Sequence, residues 1–242
     1  MPDPTLHPVG RAGADTVGPM QLNLLVHFGL TPDDRVLDLG CGIGRLAYTM
    51  ADYLSTGYYD GLDVSKKAIQ WLEENYTTVL PNFHFGVLDV WNPRYNPKGT
   101  LTPSEVVLPY ESSFFDRLGA FSLFTHMQPE DTAAYLGEIR RVLKPDGLAV
   151  VTFFSIDPEV DTDPHYGNQP FLRVSGRENV WTLNPELPER GIALDSRLID
   201  QMVGDAGLRT DQRIAGYWRG RRRTEPPYKW AHQDVYALAR LS

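Results

Sequence analysis

The sequence predicts an α/β fold built on a mostly parallel sheet with helices on both faces. Three observations carry that reading. Short β-rich runs alternate along the chain with stretches of helical periodicity. A glycine-rich turn follows the first of those runs directly and leads into the next helix. Finally, 242 residues, 42% hydrophobic and 22% charged, suit one large domain with a deep core better than two small ones.

Taken in order, a first helix fits Gly18 to Phe28, with Leu22, Leu25 and Phe28 on one face and Gly29 as its stop. Arg35 to Leu39 reads as a buried strand. Leu46, Met50 and Leu54, joined by Ala47 and Ala51, trace a helical stripe immediately after the glycines. Tyr58 to Val64 is the second strand, and Ser65 caps a helix that turns Ala68, Ile69, Leu72 and Tyr76 inward. Phe83 to Leu88 and Asp116 to Leu123 make the third and fourth strands. Pro129 opens a helix carrying Leu136, Ile139 and Leu143, which stops at Lys144-Pro145-Asp146-Gly147 before the strand Leu148 to Phe154. A last helix holds Leu198, Ile199, Met202, Val203 and Ala206, followed by strands near Arg209 to Trp218 and Asp234 to Leu241, seven strands in all.

Two stretches break the alternation, Trp91 to Ser113 and Ser155 to Asp195, both dense in Pro, Asp, Asn and aromatics. Long irregular segments in a compact domain usually cover a site. The expected division is an N-terminal helical segment (1–30), a ligand-binding core (35–154), an insertion or lid (155–195) and a C-terminal helix with a strand hairpin (196–242).

The net charge of −8 argues against a chain that carries its own field for nucleic acid. Cys41 is the sole cysteine, which rules out a disulfide within the chain and suits a reducing compartment. No apolar run is long enough to span a bilayer, and Met1 to Gly18 holds no apolar signal core, so a cytoplasmic location away from membranes is expected.

Chemistry concentrates at the glycine turn. Val36 to Gly44 sets Gly40, Gly42 and Gly44 at alternate positions at the end of the first strand, where backbone can approach a ligand closely. A dinucleotide fingerprint needs its third glycine one residue later, where Arg45 stands, and a phosphate loop needs Lys then Ser or Thr where this chain has Arg45-Leu46. Asp63 ends the second strand, where a carboxylate can accept from both hydroxyls of a ribose. Asp89 ends the third, where it can accept from an adenine amino group. Together these describe a pocket for an adenosine without phosphates.

VLDLGCGIGR (36–45), GLDVS (61–65), LDVWN (88–92), FSLFTHM (121–127) and LKPDG (143–147), in that order and spacing, resemble the motifs of class I S-adenosylmethionine-dependent methyltransferases. The resemblance runs from about residue 10 to 154 and implies a Rossmann-like sheet of seven strands, the last antiparallel. It further implies that Asp38, Gly40, Gly42 and Gly44 hold the methionine end of S-adenosylmethionine, Asp63 the ribose, and Asp89 with the Val90 backbone the adenine. Phe121 would line the methionine side, and S-adenosylhomocysteine would be the product.

Methyl transfer from a sulfonium needs positioning above all, but a hydroxyl acceptor must also lose a proton. His126, just past the fourth strand, is the candidate base; the competing reading is a capping or core histidine. His84, His165 and His232 are weaker candidates. No metal-ligand spacing is present, and Asp157, Glu159, Asp161 and Asp163 read as a solvated acidic loop. Arg219, Arg221, Arg222 and Arg223, flanked by Tyr217, Trp218, Tyr228 and Trp230, suit a phosphate or carboxylate of the acceptor, an RNA contact or a solvated hairpin, with hydrophobic packing of the hairpin's aromatics as the slightly favoured competing reading. Trp91 stacks on the adenine or fills the core; Tyr95, Tyr110, Trp181 and Asn168 are acceptor-pocket candidates by location. The expected partner is a small, hydroxylated acceptor, anionic or sugar-like, methylated on oxygen. Methylation on nitrogen or carbon, and a non-catalytic binding protein, are the alternatives; the oligomeric state is left open.

Overall fold

The structure is a computed structural model that describes residues 14–93, 95–218 and 231–241. Five strands and four helices form its first half: α1 (Ala14–His27), β1 (Arg35–Leu39), α2 (Arg45–Tyr53), β2 (Tyr58–Asp63), α3 (Lys66–Leu72), β3 (Phe83–Val87), β4 (Phe115–Ala120), α4 (Pro129–Val142) and β5 (Leu143–Ile156). The second insertion follows as β6 (His165–Tyr166), β7 (Gln169–Pro170), β8 (Leu172–Arg173), β9 (Val180–Thr182) and β10 (Ile192–Asp195). The chain then runs through α5 (Ser196–Asp205), β11 (Leu208–Ile214) and β12 (Asp234–Arg240).

The seven expected strands lie in the order β3-β2-β1-β4-β5-β12-β11. The first five are parallel, and β12, last in the chain, runs antiparallel between β5 and β11. Each strand alternates its side chains between two faces. Val36, Val150 and Val235 join Leu24, Leu46, Met50 and Leu72 under α1, α2 and α3, whereas Leu37, Val151 and Tyr236 join Leu136, Ile139, Ile199 and Val203 under α4 and α5. Among the described residues no helix is long and apolar enough to cross a membrane.

Four details depart from the sequence reading. The second insertion is not irregular throughout. Its β10 pairs in parallel with the end of β5, β9 pairs with β10 and β8 with β9, widening the sheet to ten strands, while β6 and β7 form a separate ribbon. Runs of two to four residues are too short to show a period of two. The Lys144-Pro145-Asp146-Gly147 turn lies inside β5 as a bulge, since Phe115 pairs with Leu143 but Arg117 already pairs with Leu148. Helix α1 starts at Ala14 and carries Pro19 within it. Finally, β11 stops at Ile214, because the following backbone packs at Gly216, where a Cβ would lie 2.4 Å from the carbonyl carbon of Gln233.

The carboxyl ends of the parallel strands therefore line up on one edge, with the change of chain direction between β1 and β4. Crevices at such a reversal are where open α/β sheets bind ligands.

Candidate active site

The turn after β1 is built from backbone. Gly40 and Gly42 sit at φ +82° and +56°, left-handed conformations that a side chain resists. The amides of Gly40 and Cys41 both donate to Leu62 O, at 2.8 and 3.0 Å, which pins the turn to β2. The Gly42 amide donates to one oxygen of Asp63 at 2.8 Å, and the Ser65 amide donates to the other at the same distance. Asp63 is thus held at both oxygens, each retaining a second lone pair for a ligand. A Cβ at Gly42 would meet nothing within 4 Å, so this face of the turn is open.

Asp63, Gly40 and Gly42 line a cleft of about 160 Å³, together with Val90, Phe121 and His126. The same cleft takes in Trp91 and Tyr95 from the first insertion, so Trp91, 45% exposed, is not core. Three further predicted residues are not on its wall. Asp38 is buried under the turn and accepts from the Tyr59 hydroxyl at 2.5 Å. Burial lifts its carboxyl to about 7, with the Tyr59 bond opposing and the charge of Asp63 adding to the rise. Gly44 serves packing, because a Cβ there would lie 2.4 Å from Leu72 Cδ2. Asp89 turns to the first insertion: it accepts from Thr100 Oγ1 at 2.8 Å and from Asn96 Nδ2 at 3.3 Å, and pairs with Lys66 at 3.2 Å. Those bonds hold its carboxyl below the usual range.

A second cavity, of about 790 Å³, adjoins the first. Arg45, Phe121, Ser122 and His126 line both. Its other walls come from α1 (Thr16, Met20, Gln21), from the second insertion (Tyr166, Gln169, Arg190) and from the C-terminal hairpin (Tyr217, His232, Gln233). His126 ends a 3-10 turn after β4, and its Nδ1 lies 2.7 Å from the backbone carbonyl of Glu189. A carbonyl only accepts, so this contact has Nδ1 donating and fixes the plane of the ring. Ser122, two residues past β4, adopts φ +58°, a strained value for a residue with a side chain.

The two cavities differ in charge. Asp63, Asp131 and Glu189 line the cleft, and burial, with the charges of Glu130 and Glu189, raises the Asp131 carboxyl. Among the described residues no Asp or Glu lines the larger cavity, while Arg45 and Arg190 do. Burial lowers the Arg45 guanidinium from its usual value, against the pull of Asp38 and Tyr95.

Other sequence candidates fall elsewhere. Tyr110 packs on Phe114 and Phe115, Trp181 is core beside Phe154 and Phe171, and Asn168 is exposed. His84 pairs with Asp60, and His165 lines a separate cavity. In the acidic loop, Asp157 bonds to the amide of Glu159 and Asp161 to the amide of Asp157. Trp218 is buried, with Nε1 donating to Asp234 at 2.7 Å. Arg219, Arg221, Arg222, Arg223, Tyr228 and Trp230 lie outside the described residues. Sequence reading missed Arg45, Asp131, Arg190 and Gln233. Only Arg45 had a visible signal, its place directly after the third glycine.

Comparison with known proteins places this geometry. Residues 36–147 match the family described as "Methyltransferase domain". An uncharacterised methyltransferase of Schizosaccharomyces pombe is 24% identical over 172 residues, 70% of this chain and 58% of that protein. A 2-phytyl-1,4-naphtoquinone methyltransferase of Trichormus variabilis is 29% identical over 127 residues, 52% of this chain and 49% of that protein. The matched part spans about half the length of these curated relatives. Among solved structures, a Pyrococcus horikoshii protein superposes with a TM-score of 0.64 at 16% identity, covering 99% of this chain and 96% of that one. The Burkholderia thailandensis 1,6-didemethyltoxoflavin-N1-methyltransferase, solved with its acceptor and S-adenosylhomocysteine, gives 0.57 at 15% identity, covering 94% and 79%.

Proposed function

We propose that this chain, whose residues 36–147 match the methyltransferase-domain family and whose fold is that of S-adenosylmethionine-dependent methyltransferases, methylates a hydroxyl of a small acceptor from S-adenosylmethionine, with His126 as the base. The observation that carries this reading is the position of His126. It lines both cavities, so an imidazole stands where an acceptor hydroxyl would meet the cleft, and the contact of its Nδ1 with the Glu189 carbonyl holds the ring there.

The cleft suits the cofactor in chemistry. An open glycine face lies beside an anchored carboxylate, and three acids line a space that would receive a cation. S-adenosylmethionine, when bound, supplies a methyl group on a positively charged sulfur. Asp63 would accept from the ribose hydroxyls; the Gly40 and Gly42 backbone and Phe121 would flank the methionine side, and Val90 the adenine. Asp38 and Gly44 support the turn from beneath, and Asp89 fastens the first insertion to β3. At about 160 Å³ the cleft is narrower than ordinary ligand pockets of about 300–1,000 Å³.

The test is a calorimetric titration with S-adenosylhomocysteine, followed by labelled-methyl uptake by hydroxylated acceptors. Saturable heat is expected. Asp63→Ala should weaken binding by about a hundredfold to ten-thousandfold, for two charge-assisted bonds at about 1.5–3 kcal/mol each. His126→Ala should lower turnover by about 10²–10⁴ and leave that heat intact. Undiminished turnover in His126→Ala would move the reaction to nitrogen or carbon, and heat without uptake by any acceptor would favour a binding protein.

A further inference from the structure

Gln233 immediately precedes β12, and its half-buried side chain lines the larger cavity. Its Oε1 accepts from Ser122 Oγ at 3.0 Å and from Thr152 Oγ1 at 2.7 Å. The direction of this chain is set by backbone. The Ser122 amide donates to Thr152 Oγ1 at 2.8 Å, so Thr152 has its own proton to pass to Gln233. An amide whose oxygen is held twice presents its nitrogen the other way, and Nε2 has no hydrogen-bond partner among the described residues. Two N–H donors are thereby offered to the cavity beside Ser122, where an accepting ligand can take them.

The charge of the cavity says which acceptor fits. On a chain of net charge −8, its described lining contains Arg45 and Arg190 and no carboxylate. Arg45 has neither a hydrogen bond nor an ion pair among the described residues. Such a space, with low-dielectric walls, concentrates anions. Phe154, Tyr166 and Tyr217 add aromatic surface on which a flat ring can rest.

We propose that the larger cavity binds a planar, ring-hydroxylated carboxylate, and that Gln233 donates from Nε2 to a carboxylate oxygen and so sets which hydroxyl meets His126. This names the substrate class of the methyl-transfer reading and rests on it, although binding of the carboxylate itself does not. Gln233 acts here as a specificity residue, and Ser122 with Thr152 as its positioning residues.

The test uses the full, isotope-labelled chain saturated with S-adenosylhomocysteine, titrated with benzoate and in parallel with benzyl alcohol. Benzoate should shift the Gln233 side-chain amide resonances saturably and more tightly than the alcohol. Gln233→Leu should weaken benzoate by about tenfold, and Gln233→Glu by more, since a carboxylate would then face a carboxylate. Gln233 resonances that stay still while benzoate saturates, or an unchanged Kd in both variants, would overturn the proposal. If the variants unfold, the resonance shift in the parent protein decides alone. Heat with S-adenosylhomocysteine but no response to benzoate would overturn this assignment and leave methyl transfer standing; the reverse pair of results would do the opposite.

Discussion

Asp38 and Asp63 stand at the ends of neighbouring strands and meet opposite fates. Asp63 receives two backbone amides and faces the cleft; Asp38 receives one phenol and is shut in beneath the turn. The consequence for stability follows from the direction of the Asp38 shift. Its folded value, about 7, lies above the ordinary carboxylate value of 3.8. Between those two values the unfolded chain has lost the proton and the folded one has kept it, so stability falls as pH rises from about 4 to 7 and is level above. Asp38→Asn cannot ionise and still offers an oxygen to Tyr59. Thermal unfolding across that window should show the parent losing a few kcal/mol relative to Asp38→Asn. Parallel pH curves for the two proteins would mean that Asp38 is ionised in the fold.

At the scale of elements, the contact of α1 with α2 decides the roof of the larger cavity. Gly18 of α1 is buried, and a Cβ there would lie 2.2 Å from the backbone oxygen of Arg45. An alanine in a helix ordinarily gains about 0.5–1 kcal/mol over glycine. Here the obstacle is backbone, which cannot swing aside, so overpacking of about 1–3 kcal/mol wins. Gly18→Ala should lower the midpoint of thermal unfolding and alter acceptor KM, because Thr16, Met20 and Gln21 ride on the same helix. Affinity for S-adenosylhomocysteine, measured by calorimetry, should change little. A raised midpoint would show that α1 has room at this crossing. The insertions likewise divide their work: the first walls the cleft through Trp91 and Tyr95, the second the larger cavity through Tyr166 and Arg190.

For the whole molecule, one buried acid ties the C-terminal hairpin to the sheet. Asp234, 5% exposed, accepts from Trp218 Nε1 and Ser155 N at one oxygen and from Gly216 N at the other. Those bonds bring the segments around 155, 217 and 233 together, and with them the far wall of the larger cavity. Asp234→Ala would strand three buried donors, each costing about 1–3 kcal/mol. The expected result is a fall of about 6 °C or more in the unfolding midpoint, at about 2–4 °C per kcal/mol, and loss of benzoate binding. The narrower cleft at the ends of β1, β2 and β4, the proposed seat of S-adenosylhomocysteine, should survive below that midpoint. Equal loss of both ligands would show that the hairpin supports the entire sheet edge.

The sequence by itself determined what rests on neighbours in the chain. Strand, glycine turn and helix, and the Ser65 cap, follow from periodicity and from the few residues around each. Those interactions repeat wherever the pattern repeats, which is why they can be read without a partner strand. The tertiary structure decided the rest. His126 takes its ring orientation from a carbonyl 63 positions away, and Gln233 takes its orientation from hydroxyls 81 and 111 positions away. Neither carries a local signature, because a hydrogen bond between distant segments is specified only once packing has placed both ends. The same holds for Asp89, whose partners in the first insertion drew it off the cleft wall.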